Sequence, residues 1–405
     1  MRAVSEFMEL VRSAGALPPE HVMQGPSSEP VAVIDGREVL VFCSSNYLGL
    51  ATHPEVKAAV AEAVMEYGVG ANGSRLISGT TDLHVALERQ TALFKGTESA
   101  IAFPTGYMVN SGTIAALAYL PYFARMAGLP VCSDERRTVV LSDELNHASI
   151  VEGGQLARGP FVHYAHSDLD ALEVKLREHR DKRPLIVTDG VFSMDGDIAP
   201  LPGILELAAE YGATVLVDDA HATGVLGRTG RGTLEYFGLE AGDNVLHMGT
   251  YSKSYGSMGG FLAADRATTD YLRVAARPYM FSGAMPPCLA AGILAAMRVA
   301  EREPQRRVQV LRNRDYIVYG LQQIGFDVPG AGTPIIPIVI GDDEAGMALS
   351  AGLLERGLWV PCIRWPAVGR GQSRLRITIT AIHEREQLDR LLEGFAEVGS
   401  ALGLV

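Results

Sequence analysis

Lys253 stands in His247-Met248-Gly249-Thr250-Tyr251-Ser252-Lys253-Ser254-Tyr255-Gly256, directly after the apolar stretch Asn244-Val245-Leu246. Apolar strands of a parallel sheet run into a crevice at their carboxyl ends, and lysine is rarely buried there without a task. Its neighbours are small, hydroxyl-bearing or glycine, so little bulk covers the amine. A desolvated lysine amine loses its proton more readily and becomes a nucleophile able to form a Schiff base. Two further apolar runs end in polar chemistry. Leu185-Ile186-Val187-Thr188 leads into Asp189-Gly190-Val191-Phe192-Ser193-Met194-Asp195-Gly196-Asp197, and Thr214-Val215-Leu216-Val217 leads into Asp218-Asp219-Ala220-His221-Ala222-Thr223-Gly224. Singly, each has a plain reading: a solvated loop lysine, a helix-capping aspartate pair, a core histidine, a turn. At the ends of consecutive strands they are expected to converge on one site.

The elements that position them follow a βαβ rhythm. From residue 46 to about 265, helical segments separate the short runs Ser99 to Phe103, Thr138 to Leu141, Leu185 to Thr188, Thr214 to Val217 and Asn244 to Met248. This pattern predicts an α/β fold with a parallel sheet covered on both faces. Residues 1–45 read as an N-terminal arm: a short helix, a Pro/Ser-rich stretch and a hairpin turning at Asp35-Gly36. Thr52-His53-Pro54-Glu55 reads as a helix start, with Thr52 as cap and Glu55 completing a capping box. Residues 46–288 form the large domain. Residues 289–405, with strand-like runs Ile335 to Ile340, Leu358 to Pro361 and Arg374 to Thr380, form a smaller α+β domain.

A site holding a Schiff-base lysine, a partly buried aspartate and a histidine has the inventory that pyridoxal phosphate requires. The lysine takes the aldehyde. Asp218 would otherwise be an unpaired buried carboxylate, and a pyridinium partner relieves that cost through a charge-assisted hydrogen bond. His221, three residues on, reaches toward the phenolic oxygen, and Thr250 and Ser252 can donate to phosphate. Phe103-Pro104-Thr105-Gly106-Tyr107-Met108-Val109-Asn110 follows a strand and opens a helix, so its amides form an anion site. It is not a Walker A loop, since no GK[ST] follows. His147, in Asn146-His147-Ala148-Ser149, also follows a strand, and its flat ring can stack on a cofactor ring.

Composition agrees. The chain has 405 residues, 47% of them hydrophobic, and a formal net charge of −12, which argues against nucleic acid as the main partner. Its four cysteines are far apart with no CxxC pair, so neither a metal site nor a disulfide framework is expected and a reducing compartment fits. No signal-peptide pattern and no apolar run long enough for a membrane span is read, so the expected location is cytoplasmic.

The three strand-end motifs resemble the α-oxoamine synthases, pyridoxal-phosphate enzymes of aminotransferase-like fold type I. The resemblance extends from Ser45-Asn46-Tyr47-Leu48-Gly49-Leu50 to Arg374-Leu375-Arg376-Ile377-Thr378-Ile379-Thr380-Ala381. It implies a large domain with a mostly parallel seven-stranded sheet and a homodimer with the site at the subunit interface. It also implies a reaction: decarboxylating condensation of glycine or a small L-amino acid with an acyl thioester, on CoA or an acyl carrier protein, giving an α-amino ketone. Lys253 would hold the cofactor and then act as base at Cα. Asp218 would pair with the ring nitrogen, His221 and Ser193 would lie near the phenolic oxygen, and His147 would stack on the ring and polarise the thioester carbonyl. Thr105, Gly106, Tyr107 and Thr250 would hold the phosphate, with Ser282 reaching the partner subunit's cofactor. Arg376 would take the amino-acid carboxylate, and Ser45, Ser74 and Arg364 are further substrate contacts. Ser45 stands where several members have asparagine, and Tyr119 to Arg137 is longer than in compact members. Different segments resemble different members, which points to no single one and allows a specialised synthase. Transamination, retro-aldol cleavage and a non-catalytic partner subunit are the alternatives, and the presence of Lys253 argues against the last.

Overall fold

The computed structural model describes residues 1–13, 21–120, 125, 128, 136–240, 242, 244–329 and 332–405, so most of the Tyr119 to Arg137 stretch lies outside the described residues. An N-terminal sheet carries β1 (Met23–Gln24), β2 (Val31–Ile34) and β3 (Arg37–Val41). The central sheet contains β4 (Ser99–Phe103), β5 (Thr138–Asp143), β6 (Phe161–Tyr164), β7 (Arg183–Asp189), β8 (Thr214–Asp218), β9 (Val245–Thr250) and β10 (Gly260–Ala264). The C-terminal region adds β11 (Ile335–Gly341), β12 (Leu358–Trp359), β13 (Cys362–Ile363) and β14 (Ser373–Thr378).

The central sheet runs β4-β10-β9-β8-β7-β5-β6 and is parallel except for β10, which is antiparallel to both neighbours. The five expected runs are all strands. β6 and β10 are additional: β10 is Gly-Phe-Leu-Ala-Ala, poor in β-branched residues, and its place is set by pairing rather than propensity. Successive residues alternate between two apolar layers, as strand geometry demands. Val215 and Val217 pack with Leu172 and Ile204 on one face, while Leu216 packs with Ile114 and Leu272 on the other. Each such side chain, once buried, contributes about 1.5–3 kcal/mol. Two-sided burial is why these strands read as continuous apolar runs.

The expected helix start needs correction. The helix is Pro54–Tyr67, its N-cap is His53, and no side chain caps it. The Thr52 hydroxyl instead donates to Glu29, and Glu55 pairs with Arg302. Proline in the first turn tolerates the missing cap because its own amide needs no acceptor.

Asp35 (φ 50°) and Gly36 (φ 79°) make the predicted β2–β3 turn, both in the left-handed region that such a tight turn needs. The hairpin then takes β12 as a parallel partner of β3. Leu40 and Phe42 enter the same apolar cluster as Ile336, Leu349, Leu375 and Phe395, so the N-terminal strands and the C-terminal region share a core. β11, β14 and β13 form an antiparallel sheet under the helices Gln305–Ile324, Asp343–Glu355 and Arg385–Ala401. Among the described residues, no helix is long and apolar enough to cross a membrane.

Candidate active site

β7, β8 and β9 are neighbours in the sheet, and their carboxyl ends open into one cavity of about 210 Å3. Ten expected residues line it: Thr105, Gly106, Tyr107, His147, Ser193, Asp218, His221, Thr250, Ser252 and Lys253. Asn110, Ser149, Asp189, Ala220 and Met248 line it too.

Lys253 follows β9. Burial pushes its ammonium down from 10.5 to about 8, against the opposing pull of the Asp218 and Asp189 carboxyls, with Arg376 adding to the depression. Asp218 ends β8 and is buried. Its Oδ2 accepts from Asn110 Nδ2 at 2.7 Å and its Oδ1 from the Ala220 amide at 2.9 Å, so both oxygens are aimed. Asp189 ends β7 beside it and accepts the His147 amide at 3.1 Å. Burial, with the neighbouring Asp218 carboxylate, holds the Asp189 carboxyl well above the usual range.

His147 is the N-cap of the helix Ala148–Leu156. Its Nδ1 lies 2.7 Å from Ser149 Oγ and accepts from the Ser149 amide at 3.3 Å. Ser149 Oγ in turn accepts from Asn110 Nδ2 at 2.9 Å. Asn110 therefore ties the carboxylate at the floor of the cavity to the histidine at its side. Burial, with Lys253 adding, lowers the His147 pKa, and Asp218 partly offsets this. His221 is driven well below its ordinary value, first by burial and then by Lys253, Arg376 and His147. Its Nδ1 is 2.6 Å from the Tyr47 hydroxyl.

The helix Gly106–Ala118 starts at the cavity wall. Thr105 caps it, accepting from the Met108 amide at 3.1 Å, and the first-turn amides have no acceptor within the helix. A Cβ on Gly106 would sit 3.2 Å from Met248 Cε, and one on Gly260 would sit 2.6 Å from Gly106 Cα. This loop lies flat against β9 and β10, and glycine is needed for that approach. The Thr250 hydroxyl donates to the Gly259 carbonyl at 2.8 Å and also lies 2.8 Å from Ser252 Oγ, so Ser252 is the more exposed of the two hydroxyls.

Five expected residues do not line this cavity. Arg376, on β14, is nevertheless close enough to act electrostatically on Lys253, His221 and Tyr47, and its Nε and Nη2 are buried with no hydrogen-bond partner among the described residues. Ser45 lies beside the Tyr47 hydroxyl. The Ser74 carbonyl accepts from the Ile77 and Gly79 amides in its own loop. The Ser282 hydroxyl donates to the Pro278 carbonyl. Arg364 is half-buried beside a second cavity of about 560 Å3, lined by Leu145, Asn146, Phe192, Met194, Trp365, Val368 and Arg374 among others. Asn146 adjoins His147, and Phe192 and Met194 flank Ser193, so the second cavity opens beside the first.

Two buried pairings brace the site. Lys95 Nζ lies 3.2 Å from Asp219, with both side chains about 1% exposed, and Asp219 also accepts from Thr233 Oγ1 at 2.6 Å. The His166 ring sits between Asp143 and Asp197, 3.0 Å from each, and its pKa is raised to about 10 although burial opposes this.

The cavity's own chemistry fits pyridoxal phosphate: an aimed carboxylate, an amine that sheds its proton near neutrality, a helix N-terminus and an imidazole at the side. The family model for aminotransferase class I and II matches residues 37–395. The 8-amino-7-oxononanoate synthase of Geobacter sulfurreducens is 44% identical over 407 residues, covering all of both chains. That of Symbiobacterium thermophilum is 43% identical over 402 residues, covering 99% of this chain and 98% of the relative. A solved serine palmitoyltransferase of S. paucimobilis with bound PLP and myriocin has a TM-score of 0.90 at 32% identity, covering 100% of this chain and 98% of that one. The chain belongs to the aminotransferase class I and II family and, within it, to the α-oxoamine synthases, pyridoxal-phosphate-dependent acyltransferases that join an amino acid to an acyl thioester.

Proposed function

We propose that this chain makes 8-amino-7-oxononanoate from L-alanine and a pimeloyl thioester. The name of the product dictates the skeleton. An amine and a methyl group sit on the carbon beside a ketone, and a straight chain ending in carboxylate follows. Dividing it beside the ketone leaves alanine without its carboxylate and a seven-carbon diacid acyl group. The observation that carries the reading is Arg376. Two buried, unpartnered guanidinium nitrogens, close enough to act electrostatically on the Lys253 amine, suit an α-amino acid carboxylate, since an unpaired buried donor is costly until an anion arrives. The full-length likeness to the curated relatives selects the product.

Pyridoxal phosphate supplies an electron sink for the pair left at Cα. Lys253 binds it and then takes and returns the Cα proton, a task suited to a group whose pKa is about 8. Asp218 holds the ring nitrogen, and Asn110 and the Ala220 amide keep that carboxylate oriented. His221 and Ser193 would face the phenolic oxygen. Thr105, Gly106, Tyr107, Thr250 and Ser252 would surround the phosphate, where the helix N-terminus favours negative charge. His147 would cover the ring face and donate to the thioester carbonyl. Ser45 acts through Tyr47. The second cavity, partly apolar, takes the acyl chain, with Arg364 at its edge. The enzyme works as a cytoplasmic homodimer. Ser74 and Ser282 lie on two segments joined by the Ala284 amide and the Gly73 carbonyl at 2.8 Å. These segments expose Ile77 (85%) and Phe281 (73%), a surface that a second copy would cover.

The test is a thiol-release assay with alanine, glycine and serine, each paired with acyl-CoAs of rising length and with pimeloyl-CoA. Fastest turnover with alanine and pimeloyl-CoA, with the amino ketone found by mass, is expected. Preference for another pair refutes the substrate assignment. Keto-acid-dependent amine transfer without thiol release refutes the reaction.

A further inference from the structure

We infer that Tyr47 is a positioning residue that fixes the proton of His221 on Nε2, so that this histidine presents a hydrogen-bond donor to the cofactor cavity. The inference concerns the cofactor site alone and does not depend on which amino acid or thioester is used.

The geometry begins with the 2.6 Å contact between the Tyr47 hydroxyl and His221 Nδ1. A neutral imidazole has one N–H and one lone pair, and the partner of one nitrogen decides which nitrogen keeps the proton. Two arrangements are open: the phenol donates to Nδ1, or Nδ1–H donates to the phenol oxygen. The second leaves the phenol hydrogen in need of another acceptor. Tyr47 is fully buried, and among the described residues its hydroxyl donates to no other side chain or carbonyl. Donation from the phenol to Nδ1 satisfies both groups at once, and it leaves the imidazole proton on Nε2.

Tyr47 cannot turn away from this contact. Its amide donates to the Ser45 carbonyl at 2.8 Å, its own carbonyl accepts from the Ala381 amide at 2.7 Å, and its ring packs with Val191, Ala222 and Val310. His221 is about 7% exposed and lines the cavity. Asp189 and Asp218 line the same cavity, but the groups that act on its charge are Lys253, Arg376 and His147, and all three oppose a second proton. A second proton on this ring would meet like charge in a dry place, so the ring stays neutral and its tautomer matters. The phenolic oxygen of pyridoxal phosphate is an acceptor. Facing Nε2–H it gains a hydrogen bond; facing a bare Nε2 it would meet a second lone pair.

The test uses protein labelled with 15N in its histidines, with and without pyridoxal phosphate. His221 is identified by loss of its signals in His221→Gln. Wild type is expected to show the directly bonded proton on Nε2. Tyr47→Phe, checked for native far-UV circular dichroism, is expected to show mixed tautomers, about tenfold weaker cofactor binding and a shifted pH midpoint of the cofactor's visible band. A proton on Nδ1 in wild type overturns the inference, whether or not Tyr47→Phe folds. So does a Tyr47→Phe protein that keeps the Nε2 proton and the wild-type midpoint.

Discussion

In the proposed reaction Lys253 captures the cofactor's aldehyde before any substrate binds, and only its neutral amine can do so. The perturbation is pH, and the comparison protein is Arg376→Gln. Burial lowers the amine from 10.5 to about 8, with Arg376 contributing and Asp218 and Asp189 opposing. That drop corresponds to about 3.4 kcal/mol of lost preference for the charged form. At pH 7 about a tenth of the amines are then neutral, against about one in three thousand for an ordinary lysine. In stopped-flow mixing of cofactor-free protein with pyridoxal phosphate, the rate of band formation should rise about tenfold per pH unit up to 8 and then level off. Removing Arg376 removes a cation that disfavours the lysine's charge, so the midpoint in Arg376→Gln should move above that of wild type. A wild-type rate still climbing tenfold per unit through pH 9 would refute the burial argument. A midpoint that falls in Arg376→Gln would refute the electrostatic placement of β14 against β9.

Other predictions concern the supports of the site. Lys95→Met should leave Asp219 buried without its cation and cost about 3–5 kcal/mol, read as a lowered urea midpoint; an unchanged midpoint would sink this. Gly260→Ala should push the Thr105–Gly106 loop off the sheet, since its Cβ would lie 2.6 Å from Gly106 Cα; weakened cofactor binding by equilibrium dialysis is expected, and wild-type affinity would count against it. The folded pKa of His166 is raised from 6.5 to about 10, so its stabilisation is fully present below pH 6.5 and is lost as pH rises through 10. The stability gap between wild type and His166→Gln should be about 2 kcal/mol at pH 6 and shrink by pH 10; a gap that widens with pH refutes the double bridge. In Lys253→Ala, absorbance of the covalently held cofactor and thiol release should both vanish; retention of either would displace Lys253 from its role.

Much of the central sheet was legible because β7, β8 and β9 are buried on both faces and end in sharp changes from apolar to polar residues. Lys253, Asp218 and His221 were visible for the same reason: they are polar groups at positions where strand physics admits few. Asn110 was harder to find, yet it left a trace, a fully buried amide in the helix Gly106–Ala118, where the other buried polar residues, Ser111 and Thr113, carry only hydroxyls. Asp189 stands in the motif that follows β7, but its contact with the His147 amide depends on a neighbouring strand end. Arg376 reaches the site from a different sheet, which local pattern cannot place. Thr52 misled because a threonine before proline satisfies the capping pattern, whereas a glutamate 23 residues upstream claimed its hydroxyl. Ser74 and Ser282 are half-buried away from the cavity, and sequence spacing has no bearing on what a second copy would bring to them.

The pairing of β3 with β12 has a consequence for the order in which the chain is made. Leu40 and Leu358 are opposite each other in that ladder, and the Phe42 carbonyl accepts from the Thr378 amide at 2.7 Å. A ribosome releases the hairpin early and its partner hundreds of residues later, while the whole central sheet emerges between them. Loop closure over that distance is slow relative to local contacts. The hairpin's edge and the apolar side chains of Leu40 and Phe42 therefore wait, unpaired, through most of synthesis, and it is there, rather than at the central sheet, that a nascent chain needs protection from its neighbours.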